Sequence, residues 1–99
     1  MNKPMTAASV QMFVHKEKKK NVEEAEKHMS HINKLFPQVN MVIFPELSII
    51  DMEKEMHEQA EEIPGDLTKF FAGLAKQHGV WLIPGSMYER SGDDIFNTT

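Results

Sequence analysis

An apolar run comes first along the chain. Residues 7–14, Ala-Ala-Ser-Val-Gln-Met-Phe-Val, hold neither Gly nor Pro and predict a buried strand, closed by the charged run at 16–20. Asn21 stands where a helix N-cap would, and Glu24 lies three residues on, in the position of a capping-box carboxylate. Val22, Ala25, Met29, Ile32 and Phe36 follow at spacings of three and four. They predict one apolar stripe on a helix of about 15 residues. Pro37 stops it, since proline lacks an N–H and disfavours helix at the residue before it. Met41-Val42-Ile43-Phe44 is apolar without alternation, the pattern of a parallel strand covered on both faces. Pro45 ends that run, and Glu46 stands immediately after.

The middle of the chain is more polar. Met52, Met56, Ala60 and Ile63 sit at helical spacing in a charged segment, which predicts a peripheral helix or a partly ordered loop. Ile63-Pro64-Gly65 is a turn. Asp66 is placed to cap a helix whose apolar face is Leu67, Phe70, Phe71, Leu74 and Ala75. Gly79 follows His78 as a left-handed stop. Val80-Trp81-Leu82-Ile83 is a third strand, with Trp81 expected in its core, and Pro84-Gly85 closes it. Residues 86–90 can continue it, Ser91-Gly92-Asp93-Asp94 forms a hairpin-type turn, and Ile95 starts a fourth strand.

The order is strand, helix, strand, a peripheral helical segment, helix, strand, strand. This predicts an α/β fold in one domain over residues 1–99, with right-handed crossovers. A chain that stops inside a strand leaves a sheet edge unpaired. The expectation is therefore an incomplete sheet, finished by another chain or by the rest of a longer protein.

Composition narrows the function classes. Hydrophobic residues at 40 % and charged residues at 26 % suit a globular chain rather than a disordered one. A net charge of -4 argues against a nucleic-acid partner, because phosphate binding needs a basic face. Lys16-Glu17-Lys18-Lys19-Lys20 is the one dense basic run, read as a solvated loop and helix approach rather than an anion contact. With no cysteine, disulfides and Cys-based zinc sites are excluded within the chain. No apolar run nears the roughly 18 residues of a membrane span. No signal-peptide core follows Met1-Asn2-Lys3-Pro4, so a cytoplasmic location and no membrane partner are expected.

Glu46 is the leading candidate for chemistry. In open α/β sheets, ligands gather beyond the carboxyl ends of the strands. Glu46 lies at that end of the most apolar strand. Low-dielectric surroundings there disfavour a charged carboxylate and strengthen it as a proton acceptor. The alternative from position alone is a carboxylate facing water as a loop or helix cap. His28 and His31, three apart on a helix, have no third ligand nearby, so no metal is expected. His15, His57 and His78 read as surface or capping residues, and the eight Met residues mostly as core filling. The glycines at 65, 73, 79, 85 and 92 fit no phosphate-loop spacing.

Several segments together resemble one family. Ala8-Ser9-Val10-Gln11-Met12 is similar to the first strand of the nitrilase, or carbon–nitrogen hydrolase, superfamily, and Asn21 with Ala25 to its first helix. Val42-Ile43-Phe44-Pro45-Glu46-Leu47 resembles its second strand and the motif holding a catalytic glutamate. Ile63-Pro64-Gly65, Leu74-Ala75, the run 79–86, Glu89-Arg90 and Phe96-Asn97-Thr98 are similar, in the same order, to the family's next helix, its third strand and the segment beyond. A lone Phe-Pro-Glu is a weak signal; six pieces in order are strong.

The resemblance implies the N-terminal part of an α-β-β-α sandwich. It also implies hydrolysis of an amide or nitrile by a Glu–Lys–Cys triad. In that chemistry a Cys thiolate attacks the carbon, Glu takes the thiol proton and later activates water, and Lys stabilises the developing charge. Only the glutamate transfers, to Glu46. The family's Lys and Cys come later than the Asn-Thr segment, and this chain has no Cys at all.

Glu89, Tyr88 and Asn97 are substrate-pocket or supporting candidates. Glu89 is expected as a buried hydrogen-bonded support, Tyr88 as a core or interface ring within reach of substrate, and Asn97 as a partner for backbone groups. No cofactor is implied. The expected partners are a small amide or nitrile in the complete protein, and a second copy or the C-terminal part of the fold. Two other readings stand beside the enzyme part. One is a noncatalytic α/β half-domain that pairs through its open sheet edge. The weaker other is a generic nucleotide-binding domain, against which the missing phosphate loop counts. Isolated, the chain is expected to be marginally stable and to show no amidase turnover.

Overall fold

A computed structural model describes residues 4–99; the lead-in at 1–3 lies outside the described residues. The elements are β1 (Ala7–Ser9), α1 (Lys18–Leu35), β2 (Met41–Ile43), α2 (Met56–Gln59), α3 (Asp66–His78), β3 (Trp81–Ile83), β4 (Met87–Ser91) and β5 (Asp94–Thr98). This is the expected α/β order. Strands β1, β2 and β3 form a parallel sheet in that spatial order, and β4 pairs with β5 as a separate antiparallel hairpin. Residues 86–90 thus do not prolong β3. Gly85, in the left-handed region at φ 84°, turns the chain between the two strands.

Register explains the core. Ala8, Val42 and Leu82 lie opposite one another across the sheet, and their neighbours along each strand point to the other face. Val42 and Phe44 are buried together with Ala25 and Met29 of α1 and Leu67, Phe71 and Leu74 of α3. Both long helices therefore cover the same face of the sheet. Phe44 and Phe71 meet with ring centroids 5.9 Å apart, and Phe71 meets Phe70 edge-on at 5.2 Å. Offset geometry of this kind adds to simple burial.

The opposite face is open, which corrects the expectation that β2 is covered on both sides. Trp81, expected in the core, is 71 % exposed, and Ile83 beside it is 36 % exposed. Ala7 and Ser9 are exposed on the same side, while Met41 and Ile43 are half-buried. Apolar side chains in an unbroken row across three strands form a surface complete for packing but without a second layer among the described residues.

One local expectation is also corrected, and two are made more definite. The first strand is only three residues long; residues 10–14 run on as extended chain, tied to β2 at the start by Val10 N–H to the Ile43 carbonyl (2.8 Å). The basic run is loop at Lys16 and Glu17 and then the first turn of α1 at Lys18, Lys19 and Lys20, as its reading as a loop and helix approach expects. In the segment 51–63 only Met56–Gln59 is helical. There the Gln59 side chain takes over backbone bonding, accepting from Asp51 N–H (2.9 Å) and donating to the carbonyls of Asp51 (2.8 Å) and Lys54 (3.0 Å). Met52 and Met56 stay exposed, and only Ala60 of that stripe is buried.

Asn21 is not an N-cap. It sits inside α1, fully buried, with its amide aimed away from the helix. Its Oδ1 accepts from His15 N–H (2.6 Å), and its Nδ2 donates to the carbonyls of His15 (2.9 Å) and Ile50 (2.7 Å). One side chain thus ties α1 to the segment after β1 and to the segment after β2. Nor does Asp66 cap α3. Gly65 is the N-cap, and the Thr68 hydroxyl both accepts from Gly65 N–H (2.6 Å) and donates to the Gly65 carbonyl (2.8 Å). The next free donor, Leu67 N–H, goes to Glu61 Oε1 (2.9 Å). Gly79 ends α3 in the left-handed conformation as expected, at φ 62°.

Truncating Asn21 to Ala leaves three backbone groups without their partner. Each such group, where buried, costs about 1–3 kcal/mol, so we expect Asn21→Ala to lower unfolding stability by roughly 2–4 kcal/mol in urea melts. Asn21→Asp is expected to be no better, because a carboxylate would face two carbonyl oxygens without a proton to donate.

Candidate active site

The chain turns sharply where β2 ends. Phe44 N–H still completes the ladder, donating to the Ile83 carbonyl (2.8 Å). Pro45, which has no N–H to offer toward β1, follows, and the chain leaves the sheet carrying Glu46. Beyond this point side chains replace the ladder. Leu47 N–H donates to Ser86 Oγ (3.1 Å), and Ser48 Oγ donates to the Pro84 carbonyl (3.3 Å). Both serines are buried, Ser48 completely.

Gly85 makes this approach possible. A Cβ there would overlap the Pro45 carbonyl oxygen and lie 2.6 Å from its carbon. Position 85 also needs a positive φ, so two independent constraints exclude a side chain. Leu47 is the one non-glycine residue with positive φ among those described, at 49°. An aliphatic residue in that region costs about 1–3 kcal/mol and persists only where its surroundings hold it. The strain falls on the residue directly after Glu46.

Glu46 itself lies at the carboxyl end of β2, as expected from the sequence, in an open cleft lined also by Gly85, Ser86, Asn97 and Thr99. Asn97 Nδ2 approaches Glu46 Oε1 at 3.5 Å, so the structure brings these two candidates together across 51 positions of sequence. Asn97 thereby faces a carboxylate rather than the backbone groups expected for it. The low-dielectric surroundings expected of Glu46 are not present: its side chain is exposed. No pocket wall among the described residues shields it from water.

The other two candidates lie elsewhere. Glu89 is half-buried, and its Oε1 accepts from Thr98 Oγ1 (2.8 Å) across the β4–β5 hairpin. Tyr88 lines a separate, more enclosed cavity of about 160 Å³ under the 47–61 segment, together with Leu47, Ile49, Leu67 and Met87. That cavity does not include Glu46. Its walls are core side chains and its rim is already paired, with Lys18 Nζ 3.6 Å from Glu61 Oε2. The cleft with its free carboxylate has the better chemistry despite its openness. No group of three metal-ligating side chains occurs among the described residues; His28 instead stands 3.6 Å from Glu24.

Comparison with known proteins agrees with this arrangement. The family model for carbon–nitrogen hydrolases matches residues 6–99. The chain belongs to the carbon–nitrogen hydrolase family. Among solved structures, this chain is similar to Saccharomyces cerevisiae Nit3, a member of branch 10 of the nitrilase superfamily. The TM-score is 0.71 and the identity 18 %, over 85 % of this chain and 34 % of that one. It is also similar to XC1258 from Xanthomonas campestris, a CN-hydrolase superfamily protein crystallised with an arsenic adduct in its active site. There the TM-score is 0.66 and the identity 21 %, over 85 % of this chain and 30 % of that one. At these identities the likeness establishes the fold. The chain spans about a third of the length of both structures. The single helical layer and sheet of this chain correspond to part of the fold of those structures. No helix among the described residues is long and apolar enough to cross a membrane.

Sequence reading missed Ser48, Ser86 and Leu47. Short hydroxyl side chains beside Pro and Gly look like ordinary turn residues, and a left-handed Leu leaves no trace in composition. Gly85 was legible only as a strand terminator. We expect Gly85→Ala to lose about 2 kcal/mol or more of stability, read from the midpoint of denaturant unfolding, because the added methyl must displace the Pro45 carbonyl. Gly73→Ala, where nothing lies within 4 Å, is the matched control and should be neutral or stabilising.

Proposed function

We propose that this chain supplies the general base, Glu46, of a hydrolase that cleaves a non-peptide carbon–nitrogen bond in a small amide or nitrile. One observation carries the reading: a carboxylate at the carboxyl end of the central parallel strand, on a turn held by buried side chains, in a chain that matches the carbon–nitrogen hydrolase model over residues 6–99. Sheet ends of this kind are where α/β proteins collect ligands.

The proposed chemistry needs three groups. Glu46 takes the proton of a cysteine thiol as the sulfur attacks the amide or nitrile carbon. A lysine ammonium stabilises the negative charge that develops on the former carbonyl oxygen or nitrile nitrogen. Protonated Glu46 gives that proton to the leaving amine or ammonia as the thioester forms, then removes a proton from water, and the water cleaves the thioester to the acid and the free thiol. For a nitrile, the corresponding thioimidate takes up water on the same base. The 99 residues contain no cysteine, so the nucleophile comes from polypeptide beyond them. Asn97, 3.5 Å from Glu46 Oε1, orients the carboxylate on this reading. Glu89 supports the hairpin that carries Asn97 through its bond to Thr98.

A second reading is favoured by the open sheet face. Trp81, Ile83, Met41 and Ile43 form an apolar row that suits pairing with another layer even if no catalysis results. A noncatalytic half-domain would use that face alone and would be indifferent to Glu46.

The reading frame downstream of Thr99 separates the two. An in-frame Lys and then a Cys support the hydrolase, and the product of that frame can be assayed on simple amides and nitriles. We expect Glu46→Gln in it to lower kcat by about 10²–10⁴-fold, the range for loss of a positioned general base. Turnover unchanged by that substitution removes Glu46 from the mechanism. The 99-residue chain alone is expected to show no hydrolysis above its own Glu46→Gln variant.

A further inference from the structure

We propose that Ser86 is a positioning residue for Glu46, acting through the left-handed backbone of Leu47. The inference rests on the reading of Glu46 as a general base for its functional meaning. Its physical content stands on geometry alone.

Two peptide planes flank the Cα of Glu46, and residues 85 and 86 hold both of them. The 45–46 peptide is pinned on its carbonyl side. Gly85 passes so close to the Pro45 carbonyl that no side chain fits between them. The 46–47 peptide is pinned on its N–H side, where Leu47 N–H donates to Ser86 Oγ at 3.1 Å. Fixing both planes fixes φ and ψ of Glu46, and so the direction in which its side chain leaves the backbone. The cost of this hold appears at Leu47, which adopts φ 49° although it is not glycine. Ser86 is 8 % exposed, so water does not readily replace its oxygen. Ser86 also lines the cleft that contains Glu46 and Asn97.

A hydrogen bond that merely stabilised the turn would be lost without consequence for the carboxylate. A hydrogen bond that holds a strained residue next to the carboxylate behaves differently. Without it, Leu47 relaxes toward negative φ, the 46–47 peptide rotates, and Glu46 swings away from Asn97. The distinguishing prediction is rescue. Glycine at 47 occupies the left-handed region without strain. Leu47→Gly should therefore restore the aim of Glu46 in a chain that lacks the Ser86 oxygen.

The test uses nuclear magnetic resonance of the isotope-labelled 99-residue chain. The probes are the Overhauser contact between the Glu46 side-chain methylenes and the Asn97 side-chain amide, and the exchange rate of the Leu47 amide. In the parent chain the contact is present and the Leu47 amide is protected. In Ser86→Ala the contact is lost and Leu47 exchanges about tenfold faster or more. In the Ser86→Ala/Leu47→Gly double variant the contact returns. Persistence of the contact at full intensity in Ser86→Ala overturns the proposal, as does failure of Leu47→Gly to restore it. Should Ser86→Ala not fold, Ser86→Thr keeps the acceptor oxygen; loss of the contact in folded Ser86→Thr overturns the proposal equally. None of these readouts involves turnover. If Glu46→Gln left hydrolysis intact in the longer product, the base assignment would fall while the Ser86 result stood.

Discussion

The ladder of the parallel sheet ends at Phe44, where Pro45 offers no N–H toward β1, and the site is built on how this chain continues from there. Val10 and Phe44 make the last backbone links of the sheet, to Ile43 and Ile83. Ser86 and Ser48 then bridge the two diverging segments in opposite directions, one accepting from Leu47 and the other donating to Pro84. Gly85 lets the segments lie in contact. A short stitch of two hydroxyls and one missing Cβ converts the end of β2 into a rigid mount for a carboxylate. Rigidity of this kind matters because a misplaced catalytic group loses rate steeply with distance.

The same economy appears elsewhere in the fold. Asn21 gathers three backbone groups from two loops onto α1. Glu61 serves α3, α1 and β4 together. Its carboxylate accepts from Leu67 N–H and faces Lys18, while its backbone bonds to Tyr88 and Arg90. Each is a polar residue in a thin layer where apolar packing covers only one side of the sheet. With Trp81 and Ile83 exposed, these polar clamps secure the loops beside the helical layer.

Legibility in the sequence depends on which signals are periodic. The α3 stripe of Leu67, Phe71 and Leu74, the left-handed Gly79 and the apolar β2 run depend on local pattern, and all three appear where expected. Glu46 was legible because it comes directly after a strand and a proline. Asn21 was misread because its residue type suits a cap and its real partners, His15 and Ile50, are set by tertiary structure. Trp81 was misread because an apolar run does not reveal how many faces are covered. The segment 51–63 reads as either a peripheral helix or a loop, and the structure holds a one-turn helix within a loop, where the Gln59 side chain takes backbone partners. The Glu46–Asn97 pair spans 51 positions, and no local pattern reports such a contact.

Exposure of Glu46 is the feature that most constrains its proposed role. A carboxylate open to water keeps its hydration shell, and water competes there with any group that is to meet its oxygens. The mount and the single amide contact from Asn97 determine where the group points, yet they do not exclude solvent. On the proposed function, geometry and electrostatics are therefore supplied by different parts of the protein. The described residues aim the carboxylate through the backbone at 45–47. The portion that packs on the open face and brings the thiol must also remove the water. A base already fixed in direction loses little further entropy when that second layer closes over it, so closing the site acts mainly through desolvation.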